Sequence, residues 1–333
     1  MTLDHPVVSA LLPVVFLIFI GFVAGRAGLV RGESVRDLSN LVFLVLTQAL
    51  LFRTMSQVHW SDINLSPVIL YFVAAMVLFA VLILSLGASR RSAVMALAAT
   101  FSNTVMIGIP LISLAFGPAG LVYLFTLISM HALILLTLAT VVLELVMAQE
   151  AAIQSGGEPR HPLKTIGLAV RNAVIHPVPL PILAGLLWGQ TGWVMPEVLD
   201  KPIQWLGATF GPLALLMVGI TLSNVLDRVM GAGGPADPQF SRQRILWSAL
   251  GMACLKNLVH PSLVVGMSLL LGLRGLPVAV MMVASSLPIG ANVFLFSQRY
   301  KVAEDEVTSA VAVSTLAALL TVPIVMAGVV WVM

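Results

Sequence analysis

The sequence predicts an all-α polytopic membrane protein, and three observations carry that prediction. Apolar residues make up 59% of the 333 residues and charged residues only 9%, against about 25% charge in soluble domains. The mean hydropathy of +1.05 places most of the chain in lipid. Two apolar runs, Ala99–Pro110 and Ser285–Phe294, are broken at their centres by polar residues, glycine and proline. Backbone inside a bilayer must satisfy its own hydrogen bonds, so such breaks survive only where protein or a watery cavity covers them. Broken spans at matching places in two halves are the sequence mark of a secondary transporter's binding site.

A helix needs about 20 apolar residues to cross the hydrocarbon core. That rule predicts ten spans, at residues 6–25, 37–56, 66–88, 93–116, 119–147, 166–189, 202–226, 245–273, 277–298 and 305–332. The turn between spans four and five rests on the short Gly117-Pro118 pair, the softest boundary of the series. The first run follows Met-Thr-Leu-Asp-His, which lacks the basic flank of a cleaved signal peptide, and reads as a retained span. With the N-terminus outside, 13 of the 17 basic residues fall on cytoplasmic loops or the span ends beside them, as the positive-inside rule requires. Both termini are therefore expected outside, with the chain in a bacterial-type inner membrane.

The polar stretch 148–165 divides the chain into halves, residues 1–147 and 166–333, of five spans each. An odd number of spans per half turns the second half over, so any repeat is inverted. His5-Pro6 and His176-Pro177 echo one another near the starts of the two halves, and the broken span is the fourth in each. The Gly/Pro/Ser-rich stretches 148–164 and 229–241 read as flexible connectors with no room for a soluble domain.

Several chemistries are excluded. No His-Glu-x-x-His, Gly-x-Ser-x-Gly or phosphate-binding loop occurs, and the acids sit in loops or at span ends, so no enzyme, cofactor or metal site is expected. The net charge of +3 is scattered over short loops and is not a nucleic-acid signal. Cys254, the single cysteine, excludes an internal disulfide and reads as a small packing residue.

The candidate site lies at the two breaks. In span four, Ser102, Asn103 and Thr104 precede Gly108 and Pro110; in span nine, Pro288 and Gly290 precede Asn292. Proline removes a backbone donor and frees carbonyls, and asparagine supplies both donors and acceptors. The N-termini of the resulting half-helices favour an anion. A proline-kinked helix whose asparagine bonds only a neighbouring helix remains the structural alternative. Lys256 lies deep in span eight, with His260 four residues on. An intramembrane charge needs a partner, here a substrate anion, exposed carbonyls or a helix C-terminus. His131, His260 and Lys256 are the groups able to carry a coupled proton, though His131 reads first as a packing histidine. Sodium, which prefers oxygen ligands, could instead use the carbonyls and hydroxyls of the breaks. Arg53, at the outer end of span two, reads as an interfacial anchor.

These motifs resemble the auxin efflux carrier family, which spans plant auxin exporters and bacterial malonate-type transporters. Asn103–Pro110 resembles the family's Asn-Thr…Gly-Ile-Pro element, and Leu287–Tyr300 its Leu-Pro-x-Gly…Tyr element. Lys256 and Pro261 match a basic residue five before proline in span eight, and Pro212…Gly219 fits span seven. The resemblance covers essentially the whole chain. It implies two inverted five-helix repeats with spans four and nine crossed, a plan shared with bile-acid symporters, in a transport domain that moves against a scaffold in an elevator motion. It also implies Asn103 and Asn292 as substrate-binding residues and a homodimer through scaffold helices. Gln48 stands where the family commonly has proline, which would straighten span two and turn an amide toward the substrate path. The short loop after span five and Asn292 argue against auxin and for a small mono- or dicarboxylate of malonate or malate type. A sodium-coupled bile-acid-type symporter and a non-transporting receptor using the same pocket are the alternatives.

Overall fold

The computed structural model describes residues 6–30, 33–59, 63–155, 179–229 and 242–333. The echo between His5 and His176 and most of the two polar connectors lie outside them. The described residues are helical throughout, apart from turns and one isolated β-bridge.

Helix α1 runs Pro6–Arg26, and α2 (Glu33–Leu41) and α3 (Thr47–Met55) form one rod through a π-helical turn at Val42–Leu46. Helix α4 spans Ser66–Leu86 and α5 Arg90–Thr100, the latter opened by a reciprocal cap between Ser89 and Ser92. After the first break, a π-helical turn at Thr104–Gly108 leads into α6, Ile109–Ser155, which is interrupted at Gly117 (φ 64°, ψ −160°). A left-handed φ of this kind suits glycine, and Pro118 follows as a helix-starting residue. The two limbs of α6 thus meet at the predicted Gly117-Pro118 boundary, and the second continues to Ser155, into the stretch expected to be a connector.

Helix α7 spans Pro179–Gln190 and α8 Glu197–Val229. Helices α9 (Arg242–Cys254) and α10 (His260–Leu270) join through a third π-helical turn, Leu255–Val259. Helix α11 (Leu276–Ser286) and α12 (Ala291–Tyr300) flank the second break, and α13 (Glu304–Gly328) closes the fold with a 3₁₀ turn at Val329–Trp331. By length and composition, six of the described helical stretches can cross a membrane, and shorter apolar helices accompany them.

The helices pack as two groups. Helix α8 lies along α1 and α3, and α7 lies on α3; in the other group α4, α5, α6 and α9–α13 pack on one another. The contact of α1 with α8 depends on Gly21 and Gly219: a Cβ on either would penetrate the facing backbone, that of Leu216 or Ile18. Gly185 and Gly189 do the same for α7 against the backbone at Phe52 and Val58. Small residues let helices approach in a medium where lipid competes equally for apolar surface.

Charge reinforces each group internally. Arg53 forms a two-pronged ion pair with Asp200, at 2.8 and 2.9 Å, tying α3 to α8 rather than acting as a free interfacial anchor. Arg91 pairs with the buried Glu306 at 2.9 and 2.7 Å and reaches Ser248, tying α5 to α13 and α9. Outside, the surface is apolar: Leu84, Leu270, Leu320, Trp205 and Trp331 are all exposed. Cys254 is exposed too, so it faces outward from α9 instead of packing in the core. Such a surface is a liability in water and a solvent match in lipid.

Candidate functional site

The two broken spans meet. Ser102 and Ile289 form an antiparallel bridge, in which Asn103 N–H donates to the Pro288 carbonyl (2.8 Å) and Gly290 N–H to the Phe101 carbonyl (2.9 Å). Each break thus supplies backbone partners for the other. A neighbouring helix adds a further partner: Ile289 N–H donates to Ser314 Oγ at 3.1 Å, and the Ser314 carbonyl in turn accepts from Asn257 Nδ2 at 2.8 Å. Gly290 is required for this approach, because a Cβ there would lie 2.8 Å from the Phe101 ring and 3.0 Å from the Ser102 carbonyl.

A cavity of about 430 Å³ opens beside this junction, within the size range of small-molecule sites. Its wall carries Ser102, Asn103 and Thr104 from the first break, Gly290 and Asn292 from the second, and His131 from α6. Across from them stand Ser39, Asn40 and Phe43 of the α2–α3 rod and Thr221 of α8, so the cavity lies between the two helix groups. A smaller space of about 90 Å³ adjoins it and shares Asn103 and Thr221. Asn103 caps the second half of its span, its Oδ1 accepting from Met106 N–H at 3.2 Å. Asn292 lies in the first turn of α12. Two helix N-termini, each a focus of partial positive charge, therefore border one cavity.

The other sequence candidates lie off this wall. Pro288 contributes its carbonyl to the junction, and Pro110 lies in the first turn of α6. Lys256 is fully buried and donates from Nζ to the Ser285 carbonyl at 2.5 Å. Of its three expected partners it has taken a carbonyl at the C-terminal end of α11, where the helix dipole favours a cation. His260 is fully buried with neither ring nitrogen hydrogen-bonded among the described residues, and its ring stacks edge-on against Tyr71 at 5.0 Å.

Gln48 is not on the cavity wall either. Its Nε2 donates to the Phe43 carbonyl at 2.9 Å, and Thr47 Oγ1 donates to the Val42 carbonyl at 2.8 Å. The rod carries a π-helical turn at this point, and the Val42 and Phe43 carbonyls of that turn accept side-chain hydrogen bonds from Thr47 and Gln48. Gln48→Leu removes one part-buried hydrogen bond and is expected to lower stability by about 0.5–1.5 kcal/mol, with ligand affinity unchanged. Thermal unfolding with and without ligand checks both halves of that expectation.

Tyr71 was not a sequence candidate. It is fully buried, and its hydroxyl lies 2.8 Å from Ser102 Oγ and 3.1 Å from His131 Nε2. Its only sequence signal is rarity, as one of three tyrosines set inside an otherwise apolar run. Ser39, Asn40 and Thr221 were missed as well, since single polar residues near span ends are unremarkable before the helices are packed.

A family model described as a membrane transport protein matches residues 6–326. The chain belongs to that family. This is the auxin efflux carrier family that the motifs resembled, and the chain is a multi-pass transporter rather than an enzyme. Among its relatives, a Rhizobium meliloti (strain 1021) protein named "Putative malonate transporter" is 24% identical over 327 residues, covering 95% of this chain and 93% of that one. A mouse protein named "Lysosomal cholesterol signaling protein" is 22% identical over 233 residues, which is 66% of this chain but only 26% of the mouse protein. The cavity between the two helix groups carries polar side chains of both breaks on an otherwise mostly apolar wall.

Proposed function

We propose that the chain is a secondary transporter of small organic anions, mono- or dicarboxylates of malonate or malate size, working by alternating access. The observation that carries this reading is a cavity bordered by two half-helix N-termini and by Asn103 and Asn292. Amide donors and positive helix ends suit a carboxylate. In this reading Asn103, Asn292, Ser102 and Thr104 contact the substrate, while Lys256 supplies positive potential from behind the junction. Coupling, where present, uses a proton on His131, His260 or Lys256, or a sodium ion.

The architecture proposed with it is ten spans in two inverted five-helix repeats, residues 1–147 and 166–333, joined by 148–165. Spans four and nine cross at the junction within a transport group that moves against a scaffold of α1–α3, α7 and α8. The ion pairs described above lie within the groups rather than between them, as rigid bodies sliding past one another require. Both termini lie outside an inner membrane, and the protein dimerises through its scaffold.

Proteoliposomes loaded with unlabelled malonate should accumulate labelled malonate by counterflow, and no counterflow with any small carboxylate would refute the reading. The second reading, a non-transporting sensor, is favoured by the likeness to the mouse signalling protein. A sensor would bind malonate, seen as a thermal shift, and exchange none.

A further inference from the structure

Among the described residues, one buried polar cluster reaches the cavity without having been explained. It comprises Ser102 and His131, which line the cavity, and Tyr71, which joins them from behind. All three are at most 2% exposed. We propose that Tyr71 is the positioning residue for proton coupling: through it, protonation of His131 commits Ser102 to offer its proton to the substrate anion. The proposal rests on the reading that the cavity holds a carboxylate.

The argument is one of counting protons. Tyr71 and Ser102 each carry one hydroxyl hydrogen and can donate or accept. With His131 neutral and its hydrogen on Nδ1, Nε2 accepts from Tyr71, Tyr71 accepts from Ser102, and Ser102 has only lone pairs left for the cavity. With His131 doubly protonated, Nε2–H must donate to Tyr71. The Tyr71 hydroxyl then donates to Ser102 Oγ, and the Ser102 hydrogen is released toward the cavity. A carboxylate there accepts it. The charged ring leaves this direction alone available, while the neutral ring permits either.

Electrostatics act in the same sense. Among the described residues, the ionisable groups facing His131 are Tyr71 on α4, His260 on α10 and Lys256 on the π-helical turn before it. None is a carboxylate, so positive charge added to His131 is compensated only when an anion occupies the cavity. In a low-dielectric interior that attraction is strong. His131 therefore takes a proton from the compartment the cavity faces, holds it while the anion is bound, and returns it to water when the anion leaves. No bond other than N–H is made or broken.

The test uses purified protein in liposomes with the membrane potential clamped and malonate as the probe. An inward proton gradient should drive accumulation about tenfold for each unit of gradient per coupled proton. Tyr71→Phe keeps the ring that packs on His260 but cuts the chain of hydroxyls; it should retain counterflow with a raised KM and lose the response to the gradient. Calorimetry in buffers of different ionisation heat should show proton uptake on malonate binding to the wild type and none in Tyr71→Phe. Should Tyr71→Phe fail to fold, Ser102→Ala cuts the same chain at its other end and should lose the same proton uptake. Wild-type counterflow without a gradient response overturns the proposal and leaves the transporter reading standing, as does a folded Tyr71→Phe that still responds. Absence of malonate binding and counterflow in the wild type overturns both.

Discussion

Replacing Asn103 by alanine is expected to reduce malonate counterflow by one to two orders of magnitude while the protein remains folded. Asn103 has two tasks. Its Oδ1 caps the half-helix that begins at Thr104, and its side chain stands on the cavity wall. Loss of an N-cap costs about 1 kcal/mol, which a membrane helix packed on several neighbours tolerates. Loss of a hydrogen bond to a charged ligand costs about 1.5–3 kcal/mol, or roughly 10- to 150-fold in binding. The junction itself survives, because the bond to Pro288 comes from the main-chain N–H of residue 103. Counterflow assays beside thermal unfolding separate the two effects. Wild-type transport by a folded Asn103→Ala variant would remove the residue from the site.

Gly219→Ala is expected to be among the most damaging single-methyl changes at the described glycines. The added Cβ would lie inside the Ile18 backbone, so α1 and α8 must separate along a contact that spans much of both helices. Overpacking against side chains costs about 1–3 kcal/mol, and backbone yields less readily than a side chain. A loss of about 3 kcal/mol is therefore expected, read as a lower unfolding temperature or loss of monodisperse protein in detergent. Gly251→Ala is the control. Nothing lies within 4 Å of its built Cβ, and alanine in a helix is favoured over glycine by about 0.5–1 kcal/mol. Equal stability of the two variants would show that the α1–α8 contact does not depend on glycine.

Much of the architecture was legible in the chain. Hydropathy located the described helices, the Gly117-Pro118 pair marked the division of α6, and a proline within seven residues of an asparagine marked both breaks. These are local signals: a glycine with left-handed φ or a proline in an apolar run states its consequence within a few residues. Four of the candidate side chains, Ser102, Asn103, Thr104 and Asn292, share the cavity with Gly290 and His131. Lys256 and Gln48 were singled out for their polarity in the right spans, yet both have turned to backbone carbonyls. A buried polar group accepts whichever partner lies nearest, and the sequence does not say which that is.

By itself the sequence determined that this chain lives in a bilayer, roughly where its described helices lie, and where two of them cannot remain helical. Only the tertiary structure decided that the breaks bond each other at Ser102 and Ile289, that Lys256 meets Ser285, and that Tyr71 ties Ser102 to His131. The physical reason is the solvent. In water an amphipathic helix announces its inner face by periodicity, whereas here lipid and protein interior are both apolar. The rotation of each helix about its axis is then decided by close packing of small residues and by polar groups finding partners across the bundle, contacts that link residues 29 to 60 or more positions apart.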